Sequence, residues 1–436
     1  MSSSNQNTMF YLLDQHGVFR TGQRPPSFPI FSGKTGRNWV KRLTKESLET
    51  RYRTVRNQIF EFLDVSSYAD IERLLHDSDR RREVRSRVYM MLGNMFGING
   101  TEREVISRVQ TYSSTADNVI RYLKGKILAN YAPYIEMTNE IDMISNPVDL
   151  LLIVFDDRYH KKARFEAKRK LILMNLAGSI DQRERETDIE YKFKEFLSFL
   201  NEYVWCKDMK IGELTTAYLV SKHDPEDFSC QQSKVIAHPQ INQVKRKAGQ
   251  KITLVKRRRF PFHGRDIPIY VSIRKKPPEA KVLKLLRKGE ENPAVAVDDE
   301  LGLMGVVDSV TDVKLFQQHL TQSATRAGSF MTLEEVSDTL TGGSHKSSNT
   351  GSNPATSMFK FFARMGGMRV EFILHSNRTY LDYIYRRGTS HDEYEVKRIF
   401  DSGVAELLFP PDIYKLDINA IRNELLHWFR RRIEEA

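Results

Sequence analysis

The chain has 436 residues, 40% hydrophobic and 28% charged, a composition of folded domains rather than of a disordered polymer. Lys and Arg (68) outnumber Asp and Glu (56), and the formal net charge of +12 favours polyphosphate, nucleic acid or an anionic surface without choosing among them. Two cysteines, Cys206 and Cys230, are too few for a disulfide framework and lack zinc-pair spacing. The longest plainly apolar run, "LLLIVF" (150–155), is too short to span a bilayer, and no basic-then-apolar leader opens the chain, so a cytoplasmic location is expected.

Residues 1–43 read as irregular, rich in Pro, Gly and Ser. "SGKT" (32–35) resembles the end of a phosphate-binding loop, but Phe28 stands where the motif needs Gly and no buried strand precedes it. Residues 44–236 read as a helical domain. Thr44 is a candidate N-cap, and Leu48, Tyr52, Val55, Ile59 and Leu63 recur at helical spacing. His76-Asp77 has the form of a metal-phosphohydrolase pair without further His and Asp ligands at suitable positions, and is expected to end a helix. Asn146-Pro147 predicts an N-cap followed by one or two helices over the next thirty or so residues. Ile189, Phe193, Phe196, Leu197, Leu200 and Val204 form a second apolar stripe.

Near 237 the pattern changes. "KITLVKRRRF" and "IPIYVSIR" predict two strands joined by a turn at "PFHGRD". The basic run admits two readings: a strand tracking a nucleic-acid backbone, or a charged edge strand that resists sheet-to-sheet pairing. A helix is expected at about 279–289, strands at 294–297 and 303–307, and a helix opening near Thr311. Residues 341–356 read as a mobile loop, "MFKFFARM" and "MRVEFILHS" as a second hairpin, and a basic helix from about Ile418 closes the chain. The expected fold class is α+β: an N-terminal all-α domain (44–236), a small mixed-sheet α/β domain (237–415) and a C-terminal basic helix (416–436).

The second domain carries cations suited to triphosphate (Arg274, Lys276, Lys284), an acid at a strand junction (Asp299) and an acid inside an apolar strand (Glu371). Separated carboxylates with such cations are a kit for phosphoryl transfer. These residues resemble the synthetase domain of RelA/SpoT homologues, a nucleotidyltransferase-like fold. The family's R-x-K-x-x-x-S-x-x-x-K matches "RKKPPEAKVLK" at Arg274, Lys276 and Lys284, with Ala280 at the Ser position. Its D-x-x-G-x-R matches "DELGLM" at Asp299 and Gly302, with Met304 at the Arg position. Its Glu strand matches "VEFIL" at Glu371, and its His-x-x-Tyr matches His391 and Tyr394. Its G-Y-x-S-x-H is reduced to Ser357, with Ala355 and Phe359 at the Tyr and His positions.

The resemblance implies pyrophosphate transfer from ATP to a 3′-hydroxyl. Arg274, Lys276, Lys284, His391 and Tyr394 would bind substrate, and Asp299 and Glu371 would hold Mg²⁺ and carry the catalysis. The acceptor would be GTP, GDP or an RNA end such as tRNA, and the helical domain would meet the acceptor, a protein partner or another copy. The departures leave a second expectation open, a related domain that binds RNA or a ribonucleoprotein without turnover.

Overall fold

The computed structural model describes residues 48–128, 135, 138–205, 214–244, 249–297, 299–344 and 353–435. The irregular start, Thr44, the phosphate-loop-like segment, Cys206, Asp298 and residues 345–352 of the 341–356 loop lie outside the described residues. The chain divides into two compact units, and each is interleaved in sequence.

The helical unit comprises residues up to Glu186 together with Pro277–Val297 and Arg398–Arg422. Its first helices are α1 (Leu48–Leu63), α2 (Tyr68–His76), α3 (Ser78–Met95), α4 (Glu102–Tyr122), α5 (Asn139–Met143), α6 (Pro147–Phe155) and α7 (Lys161–Glu186). The Asn146 side chain accepts from the N–H groups of Val148 (2.8 Å) and Asp149 (3.2 Å), so the Asn-Pro signal starts α6 as expected. His76 ends α2, and Asp77 caps α3 through Asp79 N and Arg80 N. The His-Asp pair is thus a helix boundary. Helix α7 packs on α4 and α6. Gly178 of α7 lies where a Cβ would come within 2.5 Å of the Phe96 ring, so only glycine lets the two surfaces close. Buried Glu166, Arg169 and Tyr414 satisfy one another: Arg169 Nη1 donates to Tyr414 Oη (2.9 Å) and to Leu408 O (2.6 Å), and Tyr414 donates to Glu166 (2.7 Å).

The sheet unit comprises Thr187–Lys276, Asp298–Lys397 and Asn423–Ala436. Among the described residues its strands are β1 (Thr215–His223), β2 (Cys230–Ala237), β3 (Gln250–Phe262), β4 (Arg265–Lys275), β5 (Leu301–Val307), β6 (Thr332–Asp338), β7 (Phe359–Met365) and β8 (Met368–Ser376). They form one eight-stranded sheet in the order β2-β1-β3-β4-β5-β8-β7-β6. Only β5 and β8 pair in parallel, and the other pairs are antiparallel. Both expected hairpins form. His263 and Gly264 turn the first with positive φ (47° and 75°), and Gly366 and Gly367 turn the second (55° and 76°), as two-residue turns between twisted strands require.

Alternation then sorts the side chains. Leu301, Leu303 and Val307 of β5, Val370, Phe372 and Leu374 of β8, and Phe359, Phe361 and Ala363 of β7 share a buried core. That core packs against α8 (Ile189–Phe199) through Phe196 and Phe199, and against α11 through Phe316 and Leu320; in chain order α9 is Pro278–Lys288, α10 is Pro293–Ala296 and α11 is Val310–Arg326. The other sheet face takes α12 (Asn377–Tyr385) at one end, through Tyr380 and Leu381 on Ala217, Leu219 and Val306.

The architecture is α+β, with helices concentrated in the N-terminal part and one mixed sheet. Three element expectations are corrected. Residues 215–237, inside the segment read as helical, form β1 and β2; "TTAYLV" alternates at period two and pairs on both sides. Residues 294–297, read as a strand, are largely the turn of α10; Asn292 accepts from Ala294 N (2.9 Å) and Pro293 follows, so the Asn-Pro cap overrides the short apolar alternation. The basic strand β3 is interior, so it guards no edge. Its cations divide by burial on both faces: Arg257 is buried against Asp308, Arg258 is buried with its guanidinium 5.4 Å from the Trp205 ring centre, and Lys256 and Arg259 are exposed.

Candidate functional site

The sheet register brings distant parts of the chain into one row. Arg274 at the end of β4 lies opposite Gly302 of β5, and Gly302 lies opposite Glu371 of β8. With strands about 4.8 Å apart, Arg274 must cross β5 to reach Glu371. It does so over Gly302: a Cβ there would stand 3.2 Å from Arg274 Nε and 3.5 Å from its Cγ. The guanidinium donates to Glu371 Oε2 at 3.2 Å. The other carboxylate oxygen lies 3.1 Å from Lys360 Nζ, a β7 residue one step diagonally away on the same face.

These partners differ in access. Glu371 is 1% exposed and Lys360 0%, whereas the Arg274 side chain is 47% exposed. Glu371 therefore has one fixed cation and one that a ligand can reach. A buried carboxylate without such compensation would be costly.

Beside this row, Lys276 forms an ion pair with buried Asp299. Lys276 N also donates to Glu300 O (2.9 Å), which ties the end of β4 to the approach to β5. Asp299 stands three residues before Gly302, just ahead of β5. The opposite flank is aromatic. Tyr383 of α12 stacks on His391 (ring centres 5.0 Å apart, 27° between planes) and lies 5.3 Å from the His375 ring. Burial pushes the Tyr383 hydroxyl well above the usual phenol range, and the Arg274 charge opposes this. His375 is fully buried, and loss of solvent pushes its pKa down to about 4.

Arg274, Lys276, Asp299, Glu371 and His391 thus belong to the sheet unit, as does half-buried Tyr394, on the same helix as His391, α13 (His391–Asp401). Lys284 belongs to α9 of the helical unit, where it is 3% exposed. Met304, at the position of the family arginine, lies on the Glu371 face two residues past Gly302 and packs against the cluster of Tyr380 and Leu381. Phe359 is buried in the opposite core, under the Lys314 ammonium at 3.9 Å, and Ala355 is exposed. Lys360 and Tyr383 were missed from the sequence. Lys360 was findable, since a lysine between phenylalanines in "FKFF" is the same anomaly as the glutamate in "VEFIL".

The fold and site define an α+β protein whose mixed sheet carries a charged row on one face. Family models, curated proteins and solved structures offer no match to this chain. Among the described residues, no helix is long and apolar enough to cross a membrane.

Proposed function

We propose that the sheet unit is a RelA/SpoT-like, nucleotidyltransferase-like domain that binds ATP and transfers its pyrophosphate to a 3′-hydroxyl of a nucleotide or RNA. The observation that carries this reading is the Arg274–Gly302–Glu371 row with the Lys276–Asp299 pair beside it. Arg274 and Glu371, about a hundred positions apart in the chain, meet across Gly302 on one sheet face.

Without substrate the cations and acids neutralise one another. Triphosphate oxygens would compete for Arg274 and Lys276 and release the two carboxylates. Asp299 and Glu371 offer only oxygen donors, which suits Mg²⁺, an ion commonly held by one or two carboxylates, water and substrate phosphates. Among the described residues no three His, Cys, Asp or Glu side chains converge, so substrate and water would complete the shell. Bound there, Mg²⁺ would supply charge neutralisation at the phosphates.

Glu371, kept in place by Lys360, would accept the proton of the 3′-hydroxyl as its oxygen bonds to the β-phosphorus of ATP. The bond from that phosphorus to the α,β-bridging oxygen breaks, and AMP leaves. Tyr383 and His391 offer an aromatic wall for a base. The test is to incubate the protein with ATP, Mg²⁺ and GDP, GTP or tRNA, and to resolve products by mass. AMP release matched by an acceptor heavier by one pyrophosphate supports the reading, and its absence with every acceptor refutes it.

Met304 favours a second reading. A thioether packed on the tyrosine cluster leaves that position of the face without a cation, as in a domain that binds nucleotide or RNA without turnover. ATP binding that needs Arg274, with no AMP formed, would select this reading.

A further inference from the structure

The strands β2, β1 and β3 have two unlike faces. One is covered by α12: Ala217, Leu219 and Val255 are buried with Tyr380 and Leu381. On the other, the register lines up Ile236, Tyr218 and Leu254, then Lys234, Val220 and Ile252, then Gln232, Lys222 and Gln250. Leu254 is 55% exposed, and Lys222, Lys234 and Lys256 are exposed. The Tyr218 ring is stacked on exposed His238, with centres 5.8 Å apart and planes within 18°, and the two are joined by a 3.1 Å hydrogen bond between Tyr218 Oη and His238 Nδ1.

We infer that this open face is a binding site for single-stranded nucleic acid, RNA in the first instance. A sheet surface that carries an exposed ring, here His238 stacked on Tyr218, suits unstacked bases, whereas duplex bases are already stacked on each other. Half-exposed aliphatic side chains surround the aromatic pair, and lysines on all three strands match a phosphate backbone in charge. The rows named above contain no acidic residue. The nearest acids along the chain, Asp224, Glu226 and Asp227, lie in the β1–β2 connection, where Asp227 is paired with Arg386. An acidic protein partner would meet the lysines equally well but would make no use of the stacked pair. The inference concerns a different surface from the Arg274–Glu371 row and does not depend on turnover there.

The test is fluorescence anisotropy with labelled single-stranded RNA of about 12 nucleotides, within the range one such surface covers. DNA of the same sequence and a blunt RNA duplex are compared, at salt from about 50 to about 200 mM. The expected results are binding of the single strands in preference to the duplex and affinity that falls with salt. His238→Ala, alone or with Tyr218→Ala, should weaken binding at least about fivefold at fixed salt, as the loss of one stacked base does. Replacing Lys222, Lys234 and Lys256 with Gln should flatten the salt dependence. His238 is exposed, so its variant keeps the fold, and circular dichroism checks this. ATP binding, read separately with labelled ATP, should be unchanged in His238→Ala, so a failed nucleotide site and a failed RNA site are told apart. No binding by folded protein, equal binding of duplex, or parental affinity in both aromatic variants would overturn the inference.

Discussion

Lys360→Met probes how Glu371 is held. In the parent the carboxylate lies between the Lys360 ammonium (3.1 Å) and the Arg274 guanidinium (3.2 Å), almost out of contact with water. Removing one partner of a buried ion pair costs roughly 3–5 kcal/mol, because the other charge stays behind. Arg274 remains, but its half-exposed side chain is screened by solvent and recovers only part of this. The expected loss is about 2–4 kcal/mol in urea unfolding followed by circular dichroism, with an unchanged denaturant slope. Adding Glu371→Gln removes the stranded charge, so the double variant should be more stable than Lys360→Met alone by about 2 kcal/mol. A loss below about 1 kcal/mol, or strictly additive effects, would refute the clamped-carboxylate geometry.

Other predictions follow from the same structure. His375 has a folded pKa of about 4 against an ordinary value of 6.5. The unfolded chain therefore binds its proton first as pH falls, and stability is lost from about pH 6.5 down to about pH 4, by at most about 3 kcal/mol. Burial lowers His223 and His319 in the same direction, so His375→Gln should reduce the acid-side slope without abolishing it; an unchanged slope contradicts the assignment. Gly178→Ala should destabilise the helical unit by about 1–3 kcal/mol despite the better helix propensity of alanine, because its Cβ meets the Phe96 ring. Adding Phe96→Leu should return part of that loss, and a neutral Gly178→Ala would mean the two helices pack less closely. Arg274→Ala should weaken ATP binding at least about tenfold while costing little stability, since its contact with Glu371 is half exposed.

What was legible in the sequence depended on how local its cause was. The Asn146-Pro147 cap, the His263-Gly264 and Gly366-Gly367 turns and the helical stripes each act over a few residues, and they form as read. The strands β1 and β2 were lost because β2 is an exposed edge with little apolar alternation, and because β1 follows a long helical run. The "AVAV" stretch was misread because four alternating residues weigh less than an Asn-Pro cap. At the candidate site, Glu371 and Asp299 were visible as acids in unusual surroundings. Their cations were harder to assign: Arg274 reaches Glu371 only by passing over Gly302, and Lys360 arrives from a strand whose register no local pattern sets. Lys284 follows Lys276 closely in sequence, yet the chain leaves the sheet unit after Lys276 and enters the helical one.

The central claim is that the Arg274–Glu371 row and the Lys276–Asp299 pair beside it act together to move pyrophosphate. γ-Labelled ATP and Mg²⁺, supplied with GDP, GTP or tRNA, test it most directly when the parent is compared with Asp299→Asn and Glu371→Gln. The account predicts label on an acceptor with the parent and none with either folded variant. Label on no acceptor with the parent, or transfer that survives both substitutions, would contradict it.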